Sequence, residues 1–347
     1  MKALYKSAPG PHTSSLVDRP VPQLNERDNV RVKVQACTVC GMDVHIHHGK
    51  FPCDPPFIMG HEMVGTVESL GSNTTGRLKV GDRVVSQPHL YACGICDQCK
   101  NGLPQFCADK RSLGISRDGA MAEFVVIPEE YLHKIPACIP DELACLLEPF
   151  TILVSDVLVY GALERGETVA VIGAGQIGQL AVVAARAGGA SKVFVTGAAN
   201  DAEMRLPAAL RLGADLAINS QTEDTVGIIM EQTGGKGVDL VVECSGNVHG
   251  INNGLAVLRA GGRMTVLGGS KQESIAVNWD VALKKALDLR FHMMSDYQHM
   301  NRAIDIFAGY THGDLSALIS HQANLEDWEE IFELLTAGKG IKACLKI

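Results

Sequence analysis

Four cysteines lie within one short stretch of the chain, at spacings that suit metal ligation. Cys93, Cys96, Cys99 and Cys107 follow the pattern C-x2-C-x2-C-x7-C. Four thiolates this close match the tetrahedral coordination of zinc, and a site with all four positions filled by protein is structural. An iron–sulfur cluster uses the same ligand type and stays an alternative, as do four unrelated buried thiols. The stretch predicts a structural zinc that stabilises its own lobe.

Three separated segments carry residue types that suit a second, catalytic metal site. They are C-G-M-D-V-H, G-H-E and E-P, which contain the candidates Cys40, Asp43, His45, His61, Glu62 and Glu148. A catalytic zinc keeps about three protein ligands and leaves one position for substrate or water. Taken singly, these residues also have structural interpretations: Cys40 as a buried thiol or a partner of Cys37, His61 as an ordinary histidine before a strand, Glu148 as a helix cap. Together with the cysteine lobe and a glycine-rich loop, they predict a catalytic metal centre.

The glycine-rich loop follows a continuous apolar segment and opens a helix. Its sequence, G-A-G-Q-I-G, contains the candidate cofactor-binding residues Gly173, Gly175, Gln176, Ile177 and Gly178. The glycines of this motif allow a tight turn, close approach of a pyrophosphate and close packing of helix on strand. The helix N-terminus then offers N–H groups to the phosphates. We therefore predict a dinucleotide site here.

The choice between NAD and NADP depends on the end of the next strand. NAD enzymes usually place Asp or Glu there for the ribose hydroxyls, but this chain has Gly197. No Lys or Arg occurs from Ala198 to Met204, so a 2′-phosphate would lack a cationic partner unless Arg205 reaches back. We expect NAD, with NADP left open.

The elements that must position these residues differ between the two halves of the chain. In the first half, Val30–Ala36 and Glu123–Ile127 alternate with period two, which is typical of half-buried antiparallel strands. From about Ser155, apolar strands alternate with helices. We predict strands at Thr168–Ile172, Lys192–Thr196, Leu216–Asn219, Val238–Glu243 and Arg263–Leu267, and helices at Ile177–Ala187 and Glu203–Leu212. This order indicates a doubly wound parallel sheet and an α/β fold.

The length of 347 residues favours two domains, because single hydrophobic cores stop growing near this size. We expect a mainly β catalytic domain over residues 1–151 that carries both zinc sites, and a dinucleotide-binding domain over 152–290. The segment 291–347, with a helix Glu326–Leu335 and a strand Lys342–Ile347, is expected to return to the first domain.

Composition excludes several other classes of protein. The net charge of −8 argues against binding to a nucleic-acid backbone, which needs a basic face. No apolar stretch reaches the ~18 residues of a membrane span, and Met1-Lys2-Ala3-Leu4 opens no signal peptide. Eleven cysteines in such a chain do not indicate a disulfide framework. We expect a cytoplasmic protein without nucleic-acid or membrane partners.

In this order, the motifs resemble the zinc-containing medium-chain dehydrogenase/reductase superfamily over essentially the whole chain. C-G-x-D-x-H, G-H-E, the four-cysteine lobe and E-P carry the resemblance. Classical alcohol dehydrogenases have Cys where Glu148 stands, so the sequence looks most like the sorbitol (polyol) and threonine dehydrogenase branch. The resemblance implies a Rossmann domain plus a GroES-like catalytic domain, with two zinc ions per subunit.

The resemblance also implies roles for single residues. Cys40 and His61 would ligate the catalytic zinc, while Glu62 and Glu148 would each be either a ligand or a neighbour that holds water. Asp43 would support a ligand, and His45 would relay protons near the cofactor ribose. The segments that would line the nicotinamide are Glu243–Gly246, with Ser245, and Val266, Leu267 and Gly268.

The activity implied is reversible oxidation of a secondary alcohol, a sugar alcohol or sugar acid, with zinc polarising the oxygen and the nicotinamide taking the hydride. Met42 stands where relatives have Ser or Thr, and a thioether cannot pass on a proton. Three alternatives stay open: an inactive zinc- and dinucleotide-binding protein, a threonine-type amino-alcohol dehydrogenase, and a redox protein that uses Cys37 and Cys40. By analogy with polyol enzymes, we expect a homo-oligomer, a tetramer or a dimer.

Overall fold

The computed structural model describes residues 1–87, 89–90, 92–292 and 297–347. Its strands, numbered in chain order, are β1 (Lys2–Lys6), β2 (Ser14–Asp18), β3 (Val30–Thr38), β4 (Phe57–Ile58), β5 (Glu62–Leu70), β6 (Arg83–Ser86), β7 (His89–Leu90), β8 (Arg111–Ser112), β9 (Phe124–Ile127), β10 (Leu132–Lys134), β11 (Thr168–Ile172), β12 (Lys192–Gly197), β13 (Leu216–Asn219), β14 (Val238–Glu243), β15 (Leu258–Val266), β16 (Asp288–Phe291), β17 (His321–Asn324) and β18 (Ala343–Lys346).

The α-helices are numbered in the same way. They are α1 (Gly41–His47), α2 (Asp97–Lys100), α3 (Asp141–Ala144), α4 (Leu147–Leu153), α5 (Gln176–Ala187), α6 (Arg205–Arg211), α7 (Thr225–Gln232), α8 (Val248–Val257), α9 (Trp279–Lys284), α10 (Tyr297–Gly309) and α11 (Trp328–Thr336). A π-helical segment, Val154–Tyr160, continues α4. Among the described residues, no helix is both long and apolar enough to span a bilayer.

The chain divides into two compact units. The first comprises Met1–Pro149, Asp296–Ala308 and Ile319–Ile347, and the second comprises Phe150–Ser295 and Gly309–Leu318. The sequence placed the whole of 291–347 in the return segment, but Gly309–Leu318 belongs to the second unit. There the hydroxyl of Tyr310 donates to the carbonyl of Leu212 at 2.6 Å, and Arg211 pairs with Asp314.

The first unit is built on a mixed sheet in the order β10-β6-β5-β3-β18-β17, with β9 also paired to β3. Val30, Val32 and Val34 of β3 point into its core, as their period-two alternation predicts. The pairing register at the end of β3 determines which residues meet at the site, because neighbouring strands pair with this end on both of its edges. Thr38 lies opposite Glu62 of β5 on one edge and opposite Cys344 of β18 on the other.

The second unit contains a six-stranded sheet in the order β13-β12-β11-β14-β15-β16, in which every pairing is parallel. Its central strands are continuous apolar runs because both faces of such a sheet are covered by helices. From β11 the chain adds strands outward through β12 and β13, and from β14 it adds strands in the opposite direction through β15 and β16. Ligands of this architecture bind at the carboxyl ends of the two neighbouring strands, here β11 and β14, at which the strand order reverses. The expected α/β class with a doubly wound parallel sheet is confirmed.

Most predicted elements occur within two residues of their expected bounds. The exception is the strand expected at Arg263–Leu267, which begins at Leu258. It therefore includes Gly261 and Gly262. The pairing of β14 with β15 shifts register between Val238 and Leu240, and this irregularity accommodates Gly261 with its φ of 67° inside the strand.

Two candidate metal centres and a dinucleotide loop

The four cysteines of the lobe converge as their spacing predicts. The sulfur atoms of Cys93, Cys96, Cys99 and Cys107 all lie within 4.8 Å of one another. Cys93 Sγ and Cys99 Sγ are 3.9 Å apart. Four sulfurs at the ~2.3 Å bond length of zinc would be separated by about 3.8 Å, so the lobe fits a tetrahedral zinc ion.

Backbone N–H groups of the same lobe face these sulfurs. The amide of Cys96 donates to Cys93 Sγ and the amide of Cys93 donates to Cys107 Sγ, both at 3.4 Å. Hydrogen bonds from the amides of Ile95 and Cys96 lower the pKa of Cys93 to about 6. A thiolate is the form that binds metal, so the backbone of this lobe favours the ligating form of Cys93, whereas desolvation raises the pKa of Cys99 to about 12.

The second centre gathers residues from two separate segments of the chain. Donor atoms of Cys40, His61 and Glu62 lie within 4.8 Å of one another. Cys40 caps the N-terminus of α1, two residues after β3 ends, and His61 directly precedes β5, which begins at Glu62. Gly60 precedes them with a φ of 90°, and a Cβ there would lie 2.6 Å from Met121 Cγ. Only glycine therefore lets the chain turn into β5 at this point.

A buried lysine holds Glu62. Lys342 Nζ lies 2.7 Å from Glu62 Oε1 and 2.6 Å from Oε2, and the side chain of Lys342 is only 2% exposed. The hydroxyl of Thr38 donates to the same carboxylate. Burial lowers and the Glu62 carboxylate raises the pKa of Lys342, with a net increase, so the lysine is charged. This pair fixes Glu62 in a protein interior where a lone carboxylate would be costly.

Asp43 lies behind His61. The amide of Cys40 donates to Asp43 Oδ2 at 2.9 Å. Asp43 Oδ1 and His61 Nδ1 are 3.7 Å apart, and both are buried without a hydrogen-bond partner in the part of the chain that the structure describes. Burial by itself lowers the pKa of His61, but Asp43 and Cys40 raise it well above its usual value. The site thus attracts positive charge, which a divalent cation bound by neutral imidazole would supply instead of a proton.

Glu148 is buried close to this cluster but does not belong to the three-residue group. It stands in the first turn of α4, and burial raises its pKa to about 7, with Glu62 and Asp43 contributing and His61 opposing. A carboxyl group that titrates near neutrality can take or give a proton at working pH. The donor set and its negative charge fit zinc, and the residues that would hold it are Cys40, His61 and a carboxylate.

Three further residues that the sequence analysis named lie near this centre: His45, Met42 and Cys37. His45 and Met42 lie on α1, both half-buried, and Met42 packs against the core of the unit. Cys37 is fully buried, and burial raises the pKa of its thiol well above the usual value. A thiol in this state is a poor nucleophile, which counts against a redox role for Cys37.

The glycine-rich loop in the second unit has the form that a dinucleotide needs. Gly173 has a φ of 104°, and a Cβ on Gly178 would lie 1.8 Å from the carbonyl oxygen of Gly173, so both positions require glycine. A Cβ on Gly175 would meet nothing within 4 Å. The loop is therefore open on the side where a pyrophosphate would approach, and Gln176 and Ile177 begin α5 behind it.

Glu243 joins the two segments expected to line the nicotinamide, one through its buried carboxylate and the other through its backbone carbonyl. Glu243 Oε1 accepts hydrogen bonds from the amides of Ser245 at 2.9 Å and Gly246 at 3.1 Å. The backbone carbonyl of Glu243 accepts from the amides of Leu267 at 2.8 Å and Gly268 at 3.1 Å, just after Val266 ends β15. Glu243 thus holds both segments at the carboxyl edge of the sheet.

A carboxylate lies at the end of β12, although Gly197 has none. It belongs to Asp201, four positions further along the chain. A Cβ on Gly197 would lie 3.0 Å from Asp201 Oδ2, and the amide of Ala198 donates to the same oxygen at 2.7 Å. Arg205 Nη1 lies 2.8 Å from Asp201 Oδ1. Arg205, the one cation proposed for a 2′-phosphate, is thus paired with an acidic side chain.

Sequence reasoning missed Lys342 and Thr38 as site residues. A lysine before a closing strand and a threonine at a strand end are unremarkable by themselves. The available signal was G-H-E itself, since a buried Glu62 requires a cationic partner.

The fold and the site together define a zinc-binding, dinucleotide-dependent dehydrogenase, and comparison with known families agrees. Residues 26–137 match the family "Alcohol dehydrogenase GroES-like domain", and residues 177–309 match the family "Zinc-binding dehydrogenase".

Whole-chain relatives make the assignment more specific. The chain is 31% identical to the sorbitol dehydrogenase of Halalkalibacterium halodurans, with 99% of both chains covered. It is 33% identical to the L-threonine 3-dehydrogenase of Bacillus subtilis, with 99% of this chain and 98% of the relative covered. A zinc-binding dehydrogenase from Sinorhizobium meliloti 1021 bound to NADP has a TM-score of 0.90 at 29% identity, with 100% and 99% of the two chains covered. The chain belongs to the zinc-containing medium-chain dehydrogenase/reductase superfamily and is an NAD(P)-dependent alcohol dehydrogenase of that kind.

Proposed function

We propose that this enzyme oxidises a secondary alcohol of a polyol or sugar acid, reversibly and with NAD. The observation that carries the proposal is the buried cluster of Cys40, His61 and Glu62 beside Glu148, whose pKa lies at about 7. The identities to sorbitol and L-threonine 3-dehydrogenases support a hydroxyl-bearing, polar substrate.

Each residue of the centre has a distinct part in this proposal. Cys40, His61 and Glu62 hold the metal, and Lys342 and Thr38 keep Glu62 oriented. When bound, zinc supplies the Lewis acidity that lowers the pKa of the substrate hydroxyl, and the nicotinamide supplies the hydride acceptor. Asp43 orients the imidazole of His61 through their facing atoms, 3.7 Å apart.

Glu148 accepts the proton of the substrate hydroxyl in this scheme. Its carboxyl group is buried, and its pKa of about 7 leaves it ionised in a large fraction of molecules at neutral pH. Met42 has no proton to exchange, so the outward route passes along water to His45, which lies one helical turn further on the same helix. Glu148 is accordingly a proton acceptor here, and Glu62 the third ligand.

The preference for NAD over NADP is part of the proposal. The carboxylate of Asp201 lies beside Gly197, where it can accept hydrogen bonds from ribose hydroxyls and would repel a 2′-phosphate. Its ion pair with Arg205 offsets the cation that a phosphate would need. A kcat/KM for NADP tenfold above that for NAD would contradict this preference.

We also propose a homo-oligomer, a tetramer or dimer, in the cytoplasm. Trp279 and Leu283 lie one turn apart on α9 and are 67% and 70% exposed, and Phe291 on the edge strand β16 is 78% exposed. Large apolar side chains so exposed beside an edge strand are typical of a subunit interface. The free thiols of all eleven cysteines suit a reducing compartment. A sedimentation measurement that showed only monomer at micromolar concentration would contradict the proposal of a homo-oligomer.

The test is an assay of secondary alcohols with both cofactors. Polyols, aldonates and L-threonine are supplied at equal concentration, reduced nicotinamide is followed by absorbance, and the Cys40→Ser variant serves as the inactive control. A polyol or aldonate with a kcat/KM at least tenfold above that of L-threonine supports the proposal. Preference for L-threonine would favour an amino-alcohol dehydrogenase. Binding of zinc and dinucleotide without turnover of any alcohol would favour an inactive binding protein.

A further inference from the structure

A third group of metal-binding side chains lies in the first unit, outside both centres described above. One ring nitrogen from each of His12, His47 and His48 lies within 4.8 Å of the others. The ring centroids are 4.9 Å apart for His12–His47, 5.4 Å for His12–His48 and 5.1 Å for His47–His48, and all three pairs meet edge to face. His47 ends α1 and His48 follows it, whereas His12 comes from the loop between β1 and β2.

The hydrogen bonds around His48 show which of its ring nitrogens carries a lone pair. The hydroxyl of Thr336 donates its one proton to the carbonyl of Phe332 at 2.7 Å. Its contact with His48 Nε2, at 3.1 Å, must therefore have the histidine as donor. Because the neutral ring carries only one N–H, Nδ1 of His48 is an acceptor. Ligating histidines typically donate their other nitrogen in this way to a fixed oxygen.

The second ring, His47, contributes a buried nitrogen to the group. Its Nδ1 atom is buried and has no hydrogen-bond partner among the described residues. Burial, with the neighbouring His48 and His12 rings, lowers the pKa of His47 to about 4, so the ring is neutral at neutral pH. A neutral imidazole is the form that binds a metal ion.

The loop that carries His12 is fixed against α1. The amide of His12 donates to the carbonyl of His47 at 2.8 Å, and His12 has a φ of 55°. A left-handed conformation is costly for a residue other than glycine and persists only where the surroundings hold it. His12 is exposed, so the third ligand approaches from the solvent side.

We infer that His12, His47 and His48 form a third metal site, which binds a divalent first-row transition metal ion such as zinc through three imidazoles. Three histidines suit zinc, copper or nickel and leave a coordination position for water on the exposed side. The ion would cross-link the loop between β1 and β2 to the C-terminal end of α1, the helix whose N-terminal cap is Cys40. The competing interpretation is aromatic packing, because His47 also lies 5.2 Å from Trp328 and 5.7 Å from Phe332, centroid to centroid.

The site is expected to bind more weakly than the two thiolate centres. It contains no anionic ligand, and the positive charges of Lys6 and Lys50 act on His47 and His48 respectively. A weak chelator should therefore remove this ion first and leave the other two in place.

The experiment is equilibrium dialysis of Co²⁺ into full-length protein that retains its two tightly bound zinc ions. Wild type should bind one further equivalent, and His12→Gln should weaken that binding at least about 100-fold, since even loss of an outer hydrogen bond costs 10–100-fold. The control His312→Gln, at an exposed histidine elsewhere, should bind as wild type does. Thr336→Val should weaken binding about tenfold.

The spectrum of the bound Co²⁺ distinguishes imidazole from thiolate ligation. The further equivalent should show visible d–d bands without the intense near-ultraviolet charge-transfer band of cobalt–thiolate bonds. Equal Co²⁺ binding by wild type and His12→Gln, no further equivalent in wild type, or a thiolate band on that equivalent would each overturn the inference and leave the three rings as a packing cluster.

Discussion

The cysteine lobe and the buried centre around Cys40 lie in the same unit but are assembled by different physics. In the lobe, four candidate ligands come from one stretch of chain, and the amides of that stretch face the sulfurs. In the buried centre, candidate ligands from two separate segments meet through strand pairing, and the charge of Glu62 is balanced by Lys342, which is far from both segments in sequence.

The difference shows how information about a site is distributed along a chain. A local site is set by spacing and turn geometry and can sit near the surface. A buried site depends on register, on desolvated charges and on partners brought by other strands. The first should therefore respond to loss of a ligand mainly in stability, and the second to loss of a charge partner in both stability and activity.

Replacing Lys342 with Met is expected to have the largest effect. In protein from which the catalytic metal has been removed, the change leaves Glu62 buried without a cation, which costs about 3–5 kcal/mol of unfolding free energy. The corresponding change in the lobe, Lys110→Met, should cost less than about 1 kcal/mol because that lobe does not depend on a buried ion pair. Urea unfolding of both variants measures the difference.

The double variant Lys342→Met with Glu62→Gln should recover part of the stability, since no carboxylate is then left unpaired. Equal losses for the Lys342 and Lys110 variants would contradict the contrast between the two centres.

Glu148→Gln should change the pH dependence of stability. The pKa of Glu148 is raised in the folded protein from 4.5 to about 7, so its contribution is fully present below pH 4.5 and lost as pH rises through about 7. The loss amounts to about 3 kcal/mol. With the catalytic metal removed by a strong chelator, wild type should lose stability between pH 5 and 8 by about this much more than Glu148→Gln does.

Glu273→Gln, at an exposed position, is the matched control and should behave as wild type. If wild type and Glu148→Gln showed the same pH profile, the assignment of a raised pKa to the buried carboxyl group of Glu148 would be wrong.

His45→Ala tests the outward proton route from the buried centre. We expect alcohol oxidation to slow by roughly tenfold or more near neutral pH, with partial recovery at higher pH, where hydroxide substitutes for the missing base. Zinc content and thermal stability should stay unchanged. Steady-state kinetics at several pH values measure the rate of oxidation. A uniform loss of this rate at all pH values would instead indicate that His45 has a positioning role.

Met42→Thr should have the smallest effect. A threonine hydroxyl would restore the usual proton path, but the route along water already exists in this proposal, so kcat should stay within about tenfold of wild type. An inactive wild type that Met42→Thr switched on would instead show that Met42 disables the enzyme.

The sequence predicted the parallel sheet, the glycine loop and the cysteine lobe because each depends on local pattern. Thr168–Ile172, for example, has its expected bounds. It could not predict that Lys342 would meet Glu62, because that contact follows from the pairing of β18 with β3, some 300 residues apart in the chain. Likewise, Asp201 reaches the end of β12 only because the chain turns back there, which spacing alone does not reveal.

The most direct test compares Cys40→Ser with Cys99→Ser for zinc content, thermal stability and turnover. Cys40→Ser should lose one zinc and more than about 10³-fold in kcat/KM while Tm changes by less than about 2 °C, because a catalytic metal supplies several kcal/mol to the transition state. Cys99→Ser should lose the other zinc and more than about 5 °C in Tm, with turnover kept by molecules that remain folded. Variants that both lost only activity, or both lost only stability, would contradict the division of this unit into one structural and one catalytic metal centre.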